Sequence, residues 1–429
     1  MTTIRTVTGQ PAPVLGPAPQ AAEGLDAYLA AGGYLPWPDP GTLLERVAAA
    51  GLRGRGGAGF PAAVKLRAVR DQPGTPVVVA NGEEGEPGSV KDRWLLRARP
   101  HLVLDGLARA AAITGADRGY VYLSDDVAAE RVRRALAERD LGPRVTVVLT
   151  EHTYVAGEES AVVRRIDGGP ALPTAKPPRP YERGVGGAPT LVANVETLAR
   201  LALLAGGGAD PGSGAGAADT TLVTLSGGGR RALLTEAGHG TALHTLAALH
   251  GVPRPRAVLM GGLFGGLLGP DRLGLRLRQD ELAAVGSGLG CGAIRFLGDD
   301  ECPVGAAADA VALLAAESSR QCGVCVSGTR AMATTLAALA AGGCGTDGTE
   351  NLARWSQGLP GRGACGLLDA GARLTGSLLA HFPHLVAAHL RRPCERCAAA
   401  PPDDGRRLRV PVPHITADTG PRARQTART

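Results

Sequence analysis

Lysine is almost missing from this chain. Of its 46 basic residues only three are Lys: Lys65, Lys91 and Lys176. Arg has replaced Lys nearly everywhere, so the survivors mark positions where a compact ammonium serves and a planar guanidinium does not. Each falls inside one of the motifs described below. Aromatic residues are scarce as well, at 3%, and aliphatic side chains and Ala must build the core. No basic stretch is interleaved with aromatics, and the net charge is only +6. A nucleic-acid partner is therefore not expected. Long apolar runs are absent. The longest, residues 257–269, is broken by Gly and is shorter than the roughly 20 residues of a spanning helix. The opening residues MTTIRTVTGQ have no apolar h-region, so no signal peptide and no membrane insertion are expected. The location these absences imply is cytoplasmic, with peripheral docking on a membrane complex as the variant. Cys does not occur before Cys291, and all 8 lie from there onward. A secreted disulfide scaffold would spread them; clustering late in a long chain points to metal or cluster ligation.

What is present reads as an α/β fold followed by smaller modules. Residues 1–35 are rich in Pro, Ala and Gly and predict a disordered leader. Across 36–205, helices are expected at 42–50, 98–114 and 127–139, and strands at 76–80, 120–123 and 145–149. That alternation argues for a mainly parallel sheet. Residues 206–219 are a linker by composition. In 220–300, strands at 221–225, 231–235 and 257–260 with one helix at 243–249 predict a small β-rich module. Residues 301–392 are helical, at 306–316, 328–341 and 369–382, with Cys at the helix ends. The Pro- and Arg-rich tail, 393–429, is expected to be disordered.

Two loops carry chemistry. Residues 51–60 read GLRGRGGAGF and contain Gly54-x-Gly56-x-x-Gly59. The Rossmann form of this fingerprint needs a strand before it, and here a helix precedes it. Gly still lets backbone N–H groups close on phosphate oxygens, and Arg55 and Lys65 add positive charge. A flexible surface loop is the alternative. Residues 81–93 read NGEEGEPGSVKDR, directly after an expected buried strand, which is where α/β proteins place ligands. Crowded carboxylates there call for a ligand rich in donors, such as ribose hydroxyls, a carboxamide or a flavin N3–H. A solvated acidic turn is the alternative.

Three further segments complete a pattern: YVAGEESA at 154–161, PTAKPP at 173–178 and NVET at 194–197. With them the chain resembles the NADH-binding flavoprotein subunit of respiratory complex I and the related subunits of NAD-linked hydrogenases and formate dehydrogenases. The likeness runs over about residues 41–382, with the motifs in family order. It implies a modified Rossmann-like domain holding FMN and NADH, then a soluble-ligand-binding β-grasp (SLBB-type) module, then a helical iron–sulfur domain. By motif match FMN is held by Gly54, Arg55, Gly56, Lys65, Asn81, Glu83, Glu84, Tyr154, Gly157, Glu158 and Asn194, with Gly57 and Gly59 in the same loop. Glu86, Glu159 and Lys176 match positions on the nicotinamide nucleotide, and Glu86 and Glu159 are the expected catalytic pair. Phe60 matches an aromatic that stacks on adenine. Ala68 and Arg179 stand where the family has two more aromatics, Ala193 replaces an Asn, and Glu83 replaces an Asp. Arg179 could stack on adenine or meet a 2′-phosphate, which leaves NADH the expected donor and NADPH the alternative.

Residues 317–329 read ESSRQCGVCVSGT. Against the family pattern, Cys322 and Cys325 match ligands of a 4Fe–4S cluster, and Cys365, in CGLLD, matches the last. The first ligand position is Ser319, although a cubane is ordinarily held by four thiolates. Ser319 completing a labile cluster, another Cys (Cys344, Cys394 or Cys397) supplying the fourth thiolate, and no cluster at all remain open. Cys291 and Cys302 are expected in the core. Cys394-x-x-Cys397 is expected to carry no chemistry, a metal site being the alternative. The function implied is hydride transfer from NADH to FMN, then one-electron transfer to a cluster and a ferredoxin-like or thioredoxin-like iron–sulfur partner. The alternatives are a cluster-less FMN diaphorase or ferredoxin-coupled reductase, and a non-catalytic assembly homologue.

Overall fold

The computed structural model describes residues 2–36, 39–205, 216–403 and 405–416. Its strands, in chain order, are β1 (Thr3–Ile4), β2 (Val77–Asn81), β3 (Arg118–Leu123), β4 (Arg144–Leu149), β5 (Thr190–Asn194), β6 (Thr220–Ser226), β7 (Leu233–Gly238), β8 (Ala257–Leu259), β9 (Leu267–Leu268) and β10 (Ala293–Leu297). They form two sheets, of order β4-β3-β2-β5 and β1-β7-β6-β10-β8-β9.

The first sheet is wholly parallel. Its central strand reads VVVAN and is buried along its apolar length, as a parallel strand covered on both faces must be. Strands β3 and β4 extend the sheet on one side of β2, and β5 lies on the other. The chain thus reverses direction of travel beside β2, the place where open α/β sheets bind ligands. The register is level: Asn81 pairs with both Tyr122 and Asn194. The sequence pattern did not reveal β5, because TLVAN runs straight into the helix Val195–Ala205 without a break. That helix crosses the helix Pro100–Thr114 at Gly106, where an added Cβ would lie 1.9 Å from the Leu198 carbonyl. Only Gly permits so close a backbone approach.

The second sheet is mixed: β6 pairs antiparallel with β7 and parallel with β10. The helix Leu243–His250 packs on it through Leu243, Leu246 and Ala247. A third apolar core lies among the helices Pro303–Ala316, Gly323–Ala340 and Leu367–His381. The helix Gly345–Gly358 was not anticipated, since its polar sequence GTDGTENLARWSQG hides its few apolar anchors.

Two expectations are corrected. Residues 2–35 are not a loose leader. Strand β1 pairs with β7, Val14 and Leu15 are buried, and their amides donate to Glu236 Oε2 at 2.9 and 3.0 Å. Tyr28 is buried too and donates to Asp105 at 2.7 Å. A few apolar anchors and satisfied amides are enough to order a stretch whose composition is permissive. Nor is 393–416 a loose tail. It holds the short helix Glu395–Ala399, buries Cys397 and Leu408, and donates from Val410 N to the Pro87 carbonyl at 2.9 Å. Of the expected linker, residues 206–215 lie outside the described residues, as do 417–429 of the tail. Among the described residues no helix is long and apolar enough to cross a membrane.

Candidate functional site

Asn81 and Asn194 end adjacent strands, and the Gly-rich loop comes to them from the other side. Gly54 N bonds the Phe60 carbonyl at 2.8 Å, which folds the loop back on itself between the helices Pro40–Ala49 and Ala62–Arg70. A Cβ on Gly56 would sit 3.3 Å from Asn194 Cβ. Gly57 and Gly59 have φ of 127° and 61°, conformations that favour Gly. The loop therefore offers bare backbone beside the strand ends.

Each candidate side chain has a definite place. Asn81 donates from Nδ2 to the Gly157 carbonyl at 2.8 Å and accepts from Glu83 N at 3.2 Å. This ties the acidic loop to the segment carrying Tyr154. Glu83 is buried. One of its oxygens meets His152 Nδ1 at 3.0 Å, and the other has no hydrogen-bond partner. A buried carboxylate oxygen without a donor costs free energy and marks a place for one. Glu86 accepts from Leu263 N at 3.1 Å and from the Tyr154 hydroxyl at 3.3 Å; burial pushes its carboxyl up to about 7. Tyr154 stacks on Phe264, with ring centroids 6.3 Å apart.

All three Lys meet carboxylates in this region. Lys65 reaches Glu159 at 3.2 Å, and Lys176 pairs with Glu158 and, at 3.6 Å, with Glu159. Burial acts to raise the Glu159 carboxyl, but Lys65 and Lys176 outweigh it and hold the group below the usual range. Lys91 is buried between Asp92 at 2.6 Å and Glu196 at 3.1 Å, and Asp92 in turn accepts from Asn194 Nδ2 at 2.7 Å. The rarity of Lys singled out Lys91 but assigned it no role; here its Nζ also donates to Asn194 Oδ1 at 3.4 Å. His152 and Phe264 were missed. His152 lies two residues before Tyr154, and Phe264 belongs to the second sheet's loops, which no motif links to the site.

Three side chains expected to hold ligand are committed elsewhere. The Arg55 guanidinium is buried and donates to the Ala218 and Thr220 carbonyls at 2.8 and 3.0 Å, so at this loop Arg55 offers its backbone and not its charge. Glu84 accepts from Ser89 Oγ, Asp92 N, Arg93 N and Arg93 Nε, and so holds the start of the helix Lys91–Ala98. Glu158 caps the helix Glu159–Ile166 by accepting from Ser160 N and Ala161 N at 2.9 and 3.3 Å. Short polar or acidic residues at helix starts do this routinely, and the motif spelling does not distinguish it from ligand contact. Phe60 is 53% exposed, as an aromatic free to cover a ligand would be. Ala68 is half-buried and Arg179 exposed.

The residues present fit FMN. They offer bare Gly backbone at the strand ends and the unpartnered Glu83 oxygen. In the helical part, Cys322 is the N-cap residue of the helix Gly323–Ala340, with Cys325 in its first turn. Cys365 lies just ahead of the helix Leu367–His381. Burial pushes the Cys365 thiol up, and the nearby Cys325 and Cys322 add to it. These three thiols suit three corners of a four-ligand cluster. The hydroxyl beside them is that of Ser318, 3.7 Å from Cys325 Sγ. Cys394 and Cys397 are drawn to Cys302 and His389 instead.

Comparison with known proteins agrees with this division. Residues 47–203 match the family model described as the Nuo51 FMN-binding domain. Residues 305–389 match the NADH-ubiquinone oxidoreductase-F iron–sulfur binding region. The F 2 chain of the NADH-quinone oxidoreductase of Rhizobium meliloti (strain 1021) is 32% identical over 87% of this chain and 95% of its own length. The HndC component of an NADP-reducing hydrogenase from Solidesulfovibrio fructosivorans is 29% identical over 88% of this chain and 83% of its own length. Among solved structures, an NAD+-reducing nickel–iron hydrogenase in the H2-reduced state aligns with a TM-score of 0.72 at 29% identity, covering 90% of this chain and 71% of that one.

Proposed function

Because the chain belongs to the family of NADH-binding FMN flavoprotein subunits of NADH-quinone oxidoreductases and NAD-reducing hydrogenases, we propose that it oxidises NADH at a flavin held between the Gly-rich loop and the ends of β2 and β5. Cys322, Cys325 and Cys365 would hold the cluster that receives electrons from the flavin on the way to a partner iron–sulfur protein. The observation that carries the site is the buried Glu83 oxygen with no donor, beside the contact of Asn81 with Gly157. When bound, FMN accepts a hydride and gives electrons up singly, which is the conversion a cluster needs.

The protein's own groups have separable tasks. The Gly54–Gly59 backbone would approach phosphate, Asn81 and Asn194, bonded to Gly157 and Asp92, would set the strand ends beside the ring, and Glu83 would accept from it. Lys65, Lys176 and Glu159 form the charged wall on the nucleotide side. Glu86, with a carboxyl near neutrality, can hold or release a proton beside Tyr154. Cys322, Cys325 and Cys365 would hold iron, with Ser318 or Ser319 as the oxygen group nearest in sequence.

NADH is the proposed donor, since Glu159 and Glu86 would repel a 2′-phosphate. The exposed Arg179 supports the NADPH reading, as does a relative named for NADP. An absorption spectrum of anaerobically purified protein, taken before and after each nucleotide, tests both points. Bleaching of a flavin band by NADH at a higher kcat/KM than NADPH is expected. A colourless protein, or preference for NADPH, refutes the corresponding part.

A further inference from the structure

Four metal-ligating side chains meet outside both sites. Cys302 is the N-cap residue of the helix Pro303–Ala316. His389 directly follows the helix Pro383–Ala388, and Cys394 and Cys397 span the start of the helix Glu395–Ala399. Their ligating atoms all lie within 4.8 Å of one another. His389 Nε2 is 3.7 Å from Cys302 Sγ and 3.6 Å from Cys397 Sγ. A tetrahedral zinc, with Zn–S of about 2.3 Å and Zn–N of about 2.0 Å, sets sulfur and nitrogen ligands about 3.5 Å apart. The observed spacings match that edge.

The surroundings prepare the same ligand set. His389 is fully buried, and its Nδ1 is 2.7 Å from the Leu385 carbonyl. Only a protonated nitrogen can donate to a carbonyl, so in the neutral ring Nε2 carries the lone pair, and it lies beside the thiols. Fixing a histidine tautomer in this way is what outer partners of metal ligands do. Cys397 N donates to Cys394 Sγ at 3.4 Å, which steadies the C-x-x-C turn. A Cβ on Gly305 would touch Cys397 Sγ at 3.4 Å, so that position leaves the sulfur little spare room. The family's iron–sulfur region spans 305–389 and omits Cys302, Cys394 and Cys397. A cubane needs its ligands spread around four irons; these four converge on a single point.

We propose that Cys302, His389, Cys394 and Cys397 bind one zinc ion in a closed, structural Cys3His site, separate from the Cys322, Cys325 and Cys365 thiols. The inference does not rest on the flavin assignment. Four protein ligands leave no open position for substrate, which is the mark of a structural zinc. The ion would fasten the C-terminal segment to the helical part. Beyond it, Asp403 N donates to Asp309 Oδ1 at 2.7 Å, Arg407 lies 3.6 Å from Asp309, and Val410 bonds Pro87 in the acidic loop.

The test uses the full chain, produced with zinc in the medium, by elemental analysis and zinc X-ray absorption. Equimolar zinc with three sulfurs and one nitrogen in its first shell is expected, retained through dialysis. The pair Cys394→Ser and Cys397→Ser should lose that zinc, keep the flavin absorbance and become open to protease beyond residue 390. If that variant does not fold, Cys394→His should fold and retain the ion with one sulfur fewer. Zinc absent while the thiols are free, a Cys394–Cys397 disulfide in its place, or iron and sulfide lost with these substitutions would each overturn the proposal.

Discussion

Gly56 owes its identity to Asn194, whose Cβ would stand 3.3 Å from any side chain placed there. Gly56→Val should push the loop from the strand ends and abolish close approach to phosphate. Flavin content, read as the ratio of visible to ultraviolet absorbance, should fall at least about tenfold with the circular dichroism unchanged; a variant that stays fully yellow would sink the assignment. Glu86 allows a test by pH. Burial places its carboxyl near pH 7 in the folded protein, well above its value in an unfolded chain. The folded state therefore holds a proton the unfolded state has released. That contribution is complete below the ordinary carboxylate range and is lost as pH rises through about 7. Glu86→Gln stays neutral throughout, so its stability relative to wild type should rise by about 2–3 kcal/mol from pH 5 to pH 8, one pKa unit being about 1.4 kcal/mol. Thermal melts at both pH values check this, and a constant difference would contradict it. At this scale the sequence told much. The scarcity of Lys pointed to three residues that all pair with motif carboxylates. It could not tell which acids cap helices, because Glu84 and Glu158 are spelled like ligand contacts and spend themselves on backbone N–H groups.

Among elements, the helix Gly323–Ala340 sets the terms for the iron site. Its N-terminus carries partial positive charge, and Cys322 and Cys325 sit there, but burial pushes the Cys325 thiol up. Ser319, in the family's first ligand position, precedes the helix, and Ser318 reaches Cys325. Ser319→Cys should raise iron and sulfide in anaerobic protein and slow cluster loss in air. Iron and sulfide absent from both wild type and variant would show that the three Cys do not bind a cluster. The elements themselves divide by how openly they advertise. Strands β2, β3 and β4 were legible from apolar runs between turn residues, and the long helices from their spacing. Strand β5 was hidden by its fusion to a helix, and the helix Gly345–Gly358 by its polar sequence. The leader and tail misled because composition reports the tendency of a free chain. It does not report the distant partners that Val14, Leu15 and Val410 find in Glu236 and Pro87.

At the scale of the molecule, buried charge joins the two sheets. Glu196, at the start of the helix after β5, meets Lys91 at 3.1 Å and Arg200 at 2.9 Å, and accepts from Leu222 N in β6 at 2.9 Å. Arg200 also reaches Glu236 of β7 at 3.2 Å, and Glu236 holds the leader's amides. Burial works against the Glu196 charge, but Lys91, Arg200 and Arg55 hold its carboxyl down at about 2. Removing one member of a buried set leaves the others uncompensated. Glu196→Gln should therefore cost about 3–5 kcal/mol, seen as an earlier denaturant midpoint. A midpoint within error of wild type would mean the network is not coupled.

The bond from Val410 to Pro87 also sets an order in time. The acidic loop receives Leu263 as a donor to Glu86, and Val410 as a donor to its backbone, only after those residues have been synthesised. A nascent chain that has exposed both sheets' strands but not residue 410 has a loop still missing a fastening. Flavin capture should then depend on residue 410 having been synthesised. Ribosome-stalled chains ending before and after that point should differ sharply in the flavin they retain.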